Sequence, residues 1–232
     1  MKRMMFVPGL LAALLVMTAN DLTVTVAAQS GSASQSAQSN KRHGRIFAPQ
    51  ELGVLEGPDR EAWQKPSQIM DALNIADGSV VADLGAGGGW FTVRLARRVG
   101  PQGIVYAEDI QKQMIESIER RMQREGLRNV KTVLGTPTDA RLPANTLDAI
   151  LIVDVFHEVE EPVLLLEKLK DALKATGRLG IVDFKRDGWG PGPPLEERLD
   201  EATVIANAQA AGLRLLSQER FLAYQYLLIF GK

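Results

Sequence analysis

Two stretches of this 232-residue chain carry groups whose types and spacing suggest chemistry. In VADLGAGGGWFTVRLA, from Val81 to Ala96, a carboxylate at Asp83 is followed at once by Gly85, Gly87, Gly88 and Gly89. Glycine lets a ligand approach the backbone closely and lets a turn take positive φ. A dinucleotide fingerprint, G-x-G-x-x-G, would place its third glycine where this chain has Trp90. An anion at Asp83 repels a pyrophosphate and attracts an ammonium. The expected ligand has a cationic end and no phosphate. The second stretch, VDVFHE, ends with Asp154, His157 and Glu158 close together. An imidazole with an ordinary pKa near ~6.5 suits a general base. Its simpler reading is that His157 and Glu158 begin a helix, where Glu favours the N-terminal dipole.

The pattern around these stretches says what must position them. Short apolar runs at Val80–Leu84, Ile104–Ala107, Val130–Leu134, Leu147–Val153 and Leu179–Phe184 predict buried strands. Between them, helices are predicted over Ala62–Leu73, with Pro66 placing its true start late, Trp90–Val99, Lys112–Glu125 and Val163–Ala175, with a later one over Leu195–Ala211. Gly126, Gly177 and Gly212 stop three of them. Such alternation predicts a parallel sheet with helices on both faces. Leu213–Glu219 and Tyr224–Phe230 have no helix between them, so they must pair antiparallel at the sheet edge. A sheet of this kind binds ligands beyond the carboxyl ends of its strands, where strand order reverses. Asp83, Asp109 and Asp154 all stand at such ends.

VADLGAGGGWF resembles the first motif of class I S-adenosylmethionine-dependent methyltransferases, D-x-G-x-G-x-G, through Asp83, Gly85, Gly87 and Gly89. GIVYAED, GTPTDARLP, LDAILIVDVFHEVEEP and LKATGRLGIVDF resemble later motifs of that family in the right order, from about Trp63 onward. AWQKP and FLAYQYLLIF resemble a small, often signal-bearing bacterial subgroup related to the ubiquinone/menaquinone type. The resemblance implies a Rossmann-like, doubly wound α/β fold with a mostly parallel seven-stranded sheet and an antiparallel C-terminal hairpin strand. It implies S-adenosyl-L-methionine as cofactor, held along Asp83, Gly85, Ala86, Gly87 and Gly89. Asp109, with Ile110 beside it, would hold the ribose hydroxyls, and Glu108 would point to the other side of the strand. Asp139 would accept from the adenine amino group, with Ala140 against the ring. Asp154 would border the donor pocket, and His157 and Glu158 are the catalytic candidates. Trp63 and Trp90 are expected to pack rather than to touch substrate.

Composition narrows the rest. The chain has no Cys, two His and a formal net charge of -1. Disulfides, a thiolate metal site and a Cys nucleophile are excluded, and no metal is expected. A balanced charge gives no pull toward nucleic acid. The acceptor is expected to be a small molecule. Lys2 and Arg3, the apolar run Met4–Ala19 and the Val26-Ala27-Ala28 boundary predict a signal peptide over residues 1–28 and an exported protein, periplasmic or secreted. An uncleaved membrane anchor is the alternative. Residues 29–45 read as a polar linker and 46–232 as the methyltransferase domain. Residues Ile46–Arg60, with Phe47, Leu52 and Leu55, are expected to fold over the donor. Two other functions stay open: a domain of this fold that binds the donor without catalysis, and a nicotinamide-dependent oxidoreductase, disfavoured by Asp83 and Trp90.

Overall fold

The structure is a computed structural model and describes residues 47–48, 53, 57–187 and 190–232. The expected signal segment and most of the linker and covering segment, Leu52 and Leu55 included, lie outside the described residues. No helix among the described residues is long and apolar enough to cross a membrane.

Seven strands form one sheet: β1 Val80–Leu84, β2 Ile104–Asp109, β3 Val130–Leu134, β4 Leu147–Val153, β5 Leu173–Phe184, β6 Arg214–Glu219 and β7 Gln225–Gly231. Their order is β3-β2-β1-β4-β5-β7-β6. β1 pairs parallel with both β2 and β4, so the strand order reverses beside it. β7 pairs antiparallel with β5 and with β6, as the resemblance implies.

The helices are α1 Arg60–Gln64, α2 Pro66–Ala72, α3 Trp90–Val99, α4 Lys112–Glu125, α5 Pro162–Ala172 and α6 Glu201–Ala210, with a 3-10 turn at Phe156–Glu158. The period-2 alternation of the strands divides the core. Ala82, Leu84, Ile150, Ile152, Ile181 and Leu228 pack with Leu165, Leu169 and Val204 of α5 and α6. Val81, Leu151, Val153, Val182, Leu227 and Ile229 pack with Ile69, Phe91 and Leu95 of α2 and α3. The edge strand β6 alternates exposed and half-buried, while β7 is buried throughout.

Four boundaries differ from the sequence expectation, each for a local reason. The single helix predicted over Ala62–Leu73 is two, broken at Lys65 with φ 49°, because the residue before Pro66 is pushed out of the helical region. The second strand extends to Asp109, since β2 pairs along β3 as far as Asp109 with Leu134. The helix predicted to reach Ala175 ends at Ala172, and residues 174–177 bulge out of β5 opposite Asp148, with Lys174 Nζ 2.6 Å from its carboxylate. The helix predicted from Leu195 starts at Glu201, where the Asp200 side chain accepts from Thr203 N at 2.7 Å. Ahead of it, Arg198 donates to the carbonyls of Lys185, Pro191 and Pro193 and holds the chain in a loop.

The turn into β2 has no room for a side chain. A Cβ at Gly103 would lie 2.6 Å from the Ser79 carbonyl oxygen and would also strike Val99. Gly103→Ala should therefore cost about 1–3 kcal/mol of stability, read as a lower urea midpoint with an unchanged m-value.

Candidate active site

Strands β1, β2 and β4 end side by side, and the Gly-rich turn crosses their ends. Gly85, Gly87 and Gly89 have φ of 65°, 54° and 79°. L side chains avoid that region, so the glycines are needed for the turn itself. Gly85 has a second reason: a Cβ there would lie 2.6 Å from Val155 Cγ2, at the exit of β4. The glycine lets the first and fourth strand ends close on each other.

The carboxylates of β2 tie this turn down. Gly87 N donates to Asp109 Oδ2 at 3.0 Å, and Gln111 N donates to Asp109 Oδ1 at 2.9 Å. Glu108 also reaches the turn: Gly85 N donates to Glu108 Oε2 at 3.3 Å, and its other oxygen lies against Gly135 at the end of β3. Glu108, expected on the other side of the strand from Asp109, thus reaches the same turn at a different amide. At the strand end, the longer Glu side chain reaches back between the first and third strand ends. Ile110 beside them is 37% exposed, a bare apolar group at the rim. Asp83 is buried, and its Oδ2 accepts from Thr92 Oγ1 of α3 at 2.6 Å.

The loop after β3 is a tight turn in which Thr136 and Asp139 exchange backbone hydrogen bonds of 2.9 and 3.2 Å. Asp139 Oδ1 accepts from Arg141 N at 2.8 Å, and Ala140 is buried at Gly135. A cavity of about 400 Å³ lies behind this loop, against Lys168 and Asp171 of α5.

At the end of β4 the chain takes a left-handed turn at Asp154, φ 60°. Its carboxylate accepts from Gln225 Nε2 and from Gln64 Nε2, the latter at 3.1 Å, and lies 3.6 Å from an Arg60 terminal nitrogen. Arg60 Nε in turn donates to Gln64 Oε1. His157 follows, 5% exposed, with Nδ1 at 2.9 and 3.0 Å from the two oxygens of Asp183, which is fully buried at the end of β5. Asp183 also accepts from His157 N at 3.1 Å and Phe184 N at 2.8 Å. A carboxylate can only accept, so Nδ1 carries the proton and Nε2 is left to accept. Nε2 faces Glu158 Oε1 at 4.0 Å. Glu158 Oε2 accepts from Phe47 N at 3.4 Å, and the Phe47 carbonyl accepts from Gln111 Nε2 at 2.9 Å. Phe47 thus bridges the second and fourth strand ends.

Arg60, Gln64, Asp183 and Gln225 were not among the residues singled out for a role. Three of them had a faint signal, Arg60 having none: AWQKP contains Gln64, Asp183 interrupts the apolar run LGIVDF, and Gln225 interrupts YQYLLIF. A polar residue inside an apolar strand is informative because burial must be compensated. Among the described residues no cluster suits a metal ion.

Burial raises most of these acids. Asp83 and Asp154 are pushed up to about 6, Glu158 to about 7 and Glu108 to about 8. Arg60 pulls Asp83 and Asp154 back down by its charge. Burial lowers His157, but the hydrogen bond and charge of Asp183, then the charge of Glu158, outweigh it and leave His157 raised. A site crowded with destabilised carboxylates favours a cationic ligand.

A family model described as a methyltransferase domain matches residues 75–220. A S-adenosylmethionine-dependent methyltransferase from Aquifex aeolicus is 31% identical, and its crystal structure superposes with a TM-score of 0.76 over 79% of this chain and 98% of that one. The chain therefore belongs to the class I S-adenosylmethionine-dependent methyltransferase family. The demethylmenaquinone methyltransferase of Geobacillus stearothermophilus is 29% identical over 115 residues, 50% of this chain and 48% of that protein. The protein-L-isoaspartate O-methyltransferase of Methanothrix thermoacetophila is 27% identical over 146 residues, 59% of this chain and 67% of that protein. The match thus spans about half the length of the demethylmenaquinone relative.

The raised carboxyls make stability depend on pH. Between the ordinary carboxylate range and the raised values, the folded state binds protons that the unfolded state has released. Stability of the ligand-free protein should therefore fall as pH rises from about 5 to 8. Glu108→Gln keeps an acceptor for Gly85 and should flatten that fall, measured as Tm against pH by calorimetry.

Proposed function

We propose that the protein transfers a methyl group from S-adenosylmethionine to a small molecule whose attacking atom must first lose a proton. The observation that carries this is the His157–Asp183 pair at the end of β4, in the same crevice as the Gly-rich turn. The donor supplies a methyl already activated by a positive sulfur, so the protein has chiefly to align, desolvate and deprotonate.

In this reading Asp83 faces the ammonium of the donor, and the backbone from Gly85 through Ala86 and Gly87 to Gly89 follows its length. Asp109 takes the ribose hydroxyls, which replace or share its bond from Gly87. Ile110 and Ala140 flank the adenine, and Asp139 accepts from its amino group. Asp154 borders the pocket through the groups it holds, because its own oxygens are already engaged. His157 Nε2 takes the proton from the acceptor, Asp183 keeps the ring in the Nδ1–H tautomer, and Glu158 faces the resulting imidazolium. A hydroxyl, an acidic carbon or an ammonium all fit such a base.

Trp63 lies 6.2 Å from Phe184 and 6.1 Å from Tyr224, ring centre to ring centre. Trp63 thus packs against both rings, as expected of it from the sequence. The name of the Geobacillus relative speaks of a quinone-type small molecule and supports the small-molecule reading. The name of the Methanothrix relative speaks of a protein side chain, so the acceptor class rests on the site. The signal-like residues 1–28 support export, with a mature chain beginning near Gln29. Intact-mass analysis of protein from the native host should show that shorter chain, whereas a full-length mass would leave the anchor reading.

The first experiment is formation of S-adenosylhomocysteine on incubation with a metabolite extract and S-adenosylmethionine. With the acceptor found, His157→Gln should lower kcat by about 10²–10⁴ with affinity for S-adenosylhomocysteine unchanged. An unaltered kcat would remove the base. Asp183→Asn should lower the His157 pKa and move the acid limb of the kcat profile to lower pH, because the raising charge is gone. NMR titration reads this directly, since the chain has one other histidine.

A further inference from the structure

Two hydrogen-bond acceptors stand side by side just beyond β4. The first is His157 Nε2. Nδ1 of that ring carries its proton to the two oxygens of Asp183, so Nε2 can only accept. The second is Glu158 Oε1, which lies 4.0 Å from Nε2. The other Glu158 oxygen is already spent on Phe47 N. Among the described residues neither Nε2 nor Oε1 meets a donor. Both side chains are largely withdrawn from water, at 5% and 16% exposure, and such groups call for partners. The surroundings are anionic as well. Asp183, Glu158 and Asp154 all act on His157 by their charge. The cation in this corner, Arg60, stands against Asp154, 3.6 Å from its carboxylate.

Resting on the methyl-transfer reading above, we infer that the acceptor is a primary or secondary amine that enters as its ammonium ion. One nitrogen with two N–H groups satisfies both Nε2 and Oε1. Bonds of about 2.9 Å from it to two atoms 4.0 Å apart enclose an angle of about 90°, within reach of a tetrahedral nitrogen. A hydroxyl has one hydrogen and leaves one of the two atoms unmet, at a cost. An acidic carbon is a poor donor to either. Charge selects the same way. Deprotonating a hydroxyl or a carbon creates an anion beside Glu158, which repels it. An ammonium is attracted to the site and becomes neutral there. Its charge also draws Glu158, pushed up to about 7 by burial, back to the ionised form. The step balances. His157 Nε2 takes one proton, and the N–H electron pair stays on the nitrogen. That pair forms the N–C bond to the methyl carbon as the S–C bond breaks, its electrons going to sulfur. Glu158 holds the nitrogen by its remaining N–H. The products are a methylated ammonium and S-adenosylhomocysteine, and the imidazolium returns its proton to water.

The test uses the full chain, S-adenosylmethionine labelled in its methyl group and a metabolite extract of the native host. One portion of the extract is treated with acetic anhydride and then with mild alkali, which leaves amines blocked and hydroxyls free. The untreated portion should yield S-adenosylhomocysteine and a labelled product retained on a cation exchanger. The blocked portion should yield neither above background. A yield that survives blocking would overturn the inference while leaving methyl transfer in place. An untreated extract that yields no S-adenosylhomocysteine would overturn the methyl-transfer reading, and the inference with it. With the acceptor in hand, Glu158→Gln should raise its KM by about 10- to 100-fold, the loss of one bond between charged partners, with kcat far less affected. Affinity for S-adenosylhomocysteine should stay within about twofold, which also shows that the variant is folded. An unchanged KM would overturn the seat of the nitrogen at Glu158. So would an equal loss of affinity for S-adenosylhomocysteine, which would make Glu158 a support for the crevice as a whole.

Discussion

The crevice depends on one set of contacts, the two bonds by which the second strand's last carboxylates hold the Gly-rich turn. Glu108 accepts from Gly85 and Asp109 from Gly87. The turn needs three positive-φ residues in five, a conformation with little intrinsic preference to persist. Anchored at two amides, it presents its remaining backbone in a fixed place, at the point where the sheet order reverses. The position of α3, of Trp90 at its start and of Thr92 against Asp83 follows from that anchorage.

The fourth and fifth strand ends are built on a second principle. Here side chains, rather than turn amides, set the geometry. Asp154 is held in a left-handed conformation by Gln64 and Gln225, which come from opposite ends of the domain's sequence. His157 is oriented by Asp183 from the neighbouring strand. The two halves meet where Gly85 admits Val155 and where Phe47 spans from Gln111 to Glu158. The result is a polar floor in which burial raises Asp83, Glu108, Asp109, Asp154 and Glu158, so positive charge on a ligand is favoured beside them.

Much of this was legible in the sequence because it is local. The D-x-G-x-G-x-G spacing needs only consecutive residues, and the strands before Asp83, Asp109 and Asp154 are short apolar runs. The fold followed from their alternation. Less legible were the partners. Nothing in the sequence near His157 says that Asp183, on the next strand, will face its Nδ1. Nothing near Asp154 says that Gln225 will reach it. Those contacts depend on register between β4, β5 and β7, which a run of apolar residues does not encode. The reach of Glu108 to the turn was hidden for a related reason. Alternation assigns faces within a strand, but the last residues of a parallel strand turn over its end, and a long side chain there follows the loop. The start of α6 was hidden because Arg198 holds the loop ahead of it, a tertiary feature acting on ordinary helical sequence, whereas the break at Lys65 has a local signal in Pro66.

The seventh strand follows the other six in sequence yet lies inside the sheet, between β5 and β6. During synthesis β1, β2 and β4 emerge early and can pair with one another at once. β5 and then β6 follow, and β6 has no neighbour to pair with until β7 arrives and joins it to β5. Gln225, the donor that steadies Asp154, comes with that insertion. The turn side of the crevice can therefore take shape on a growing chain well before the opposite wall exists. The wall that Gln225 completes is thus the last part of the crevice for which the chain supplies its residues.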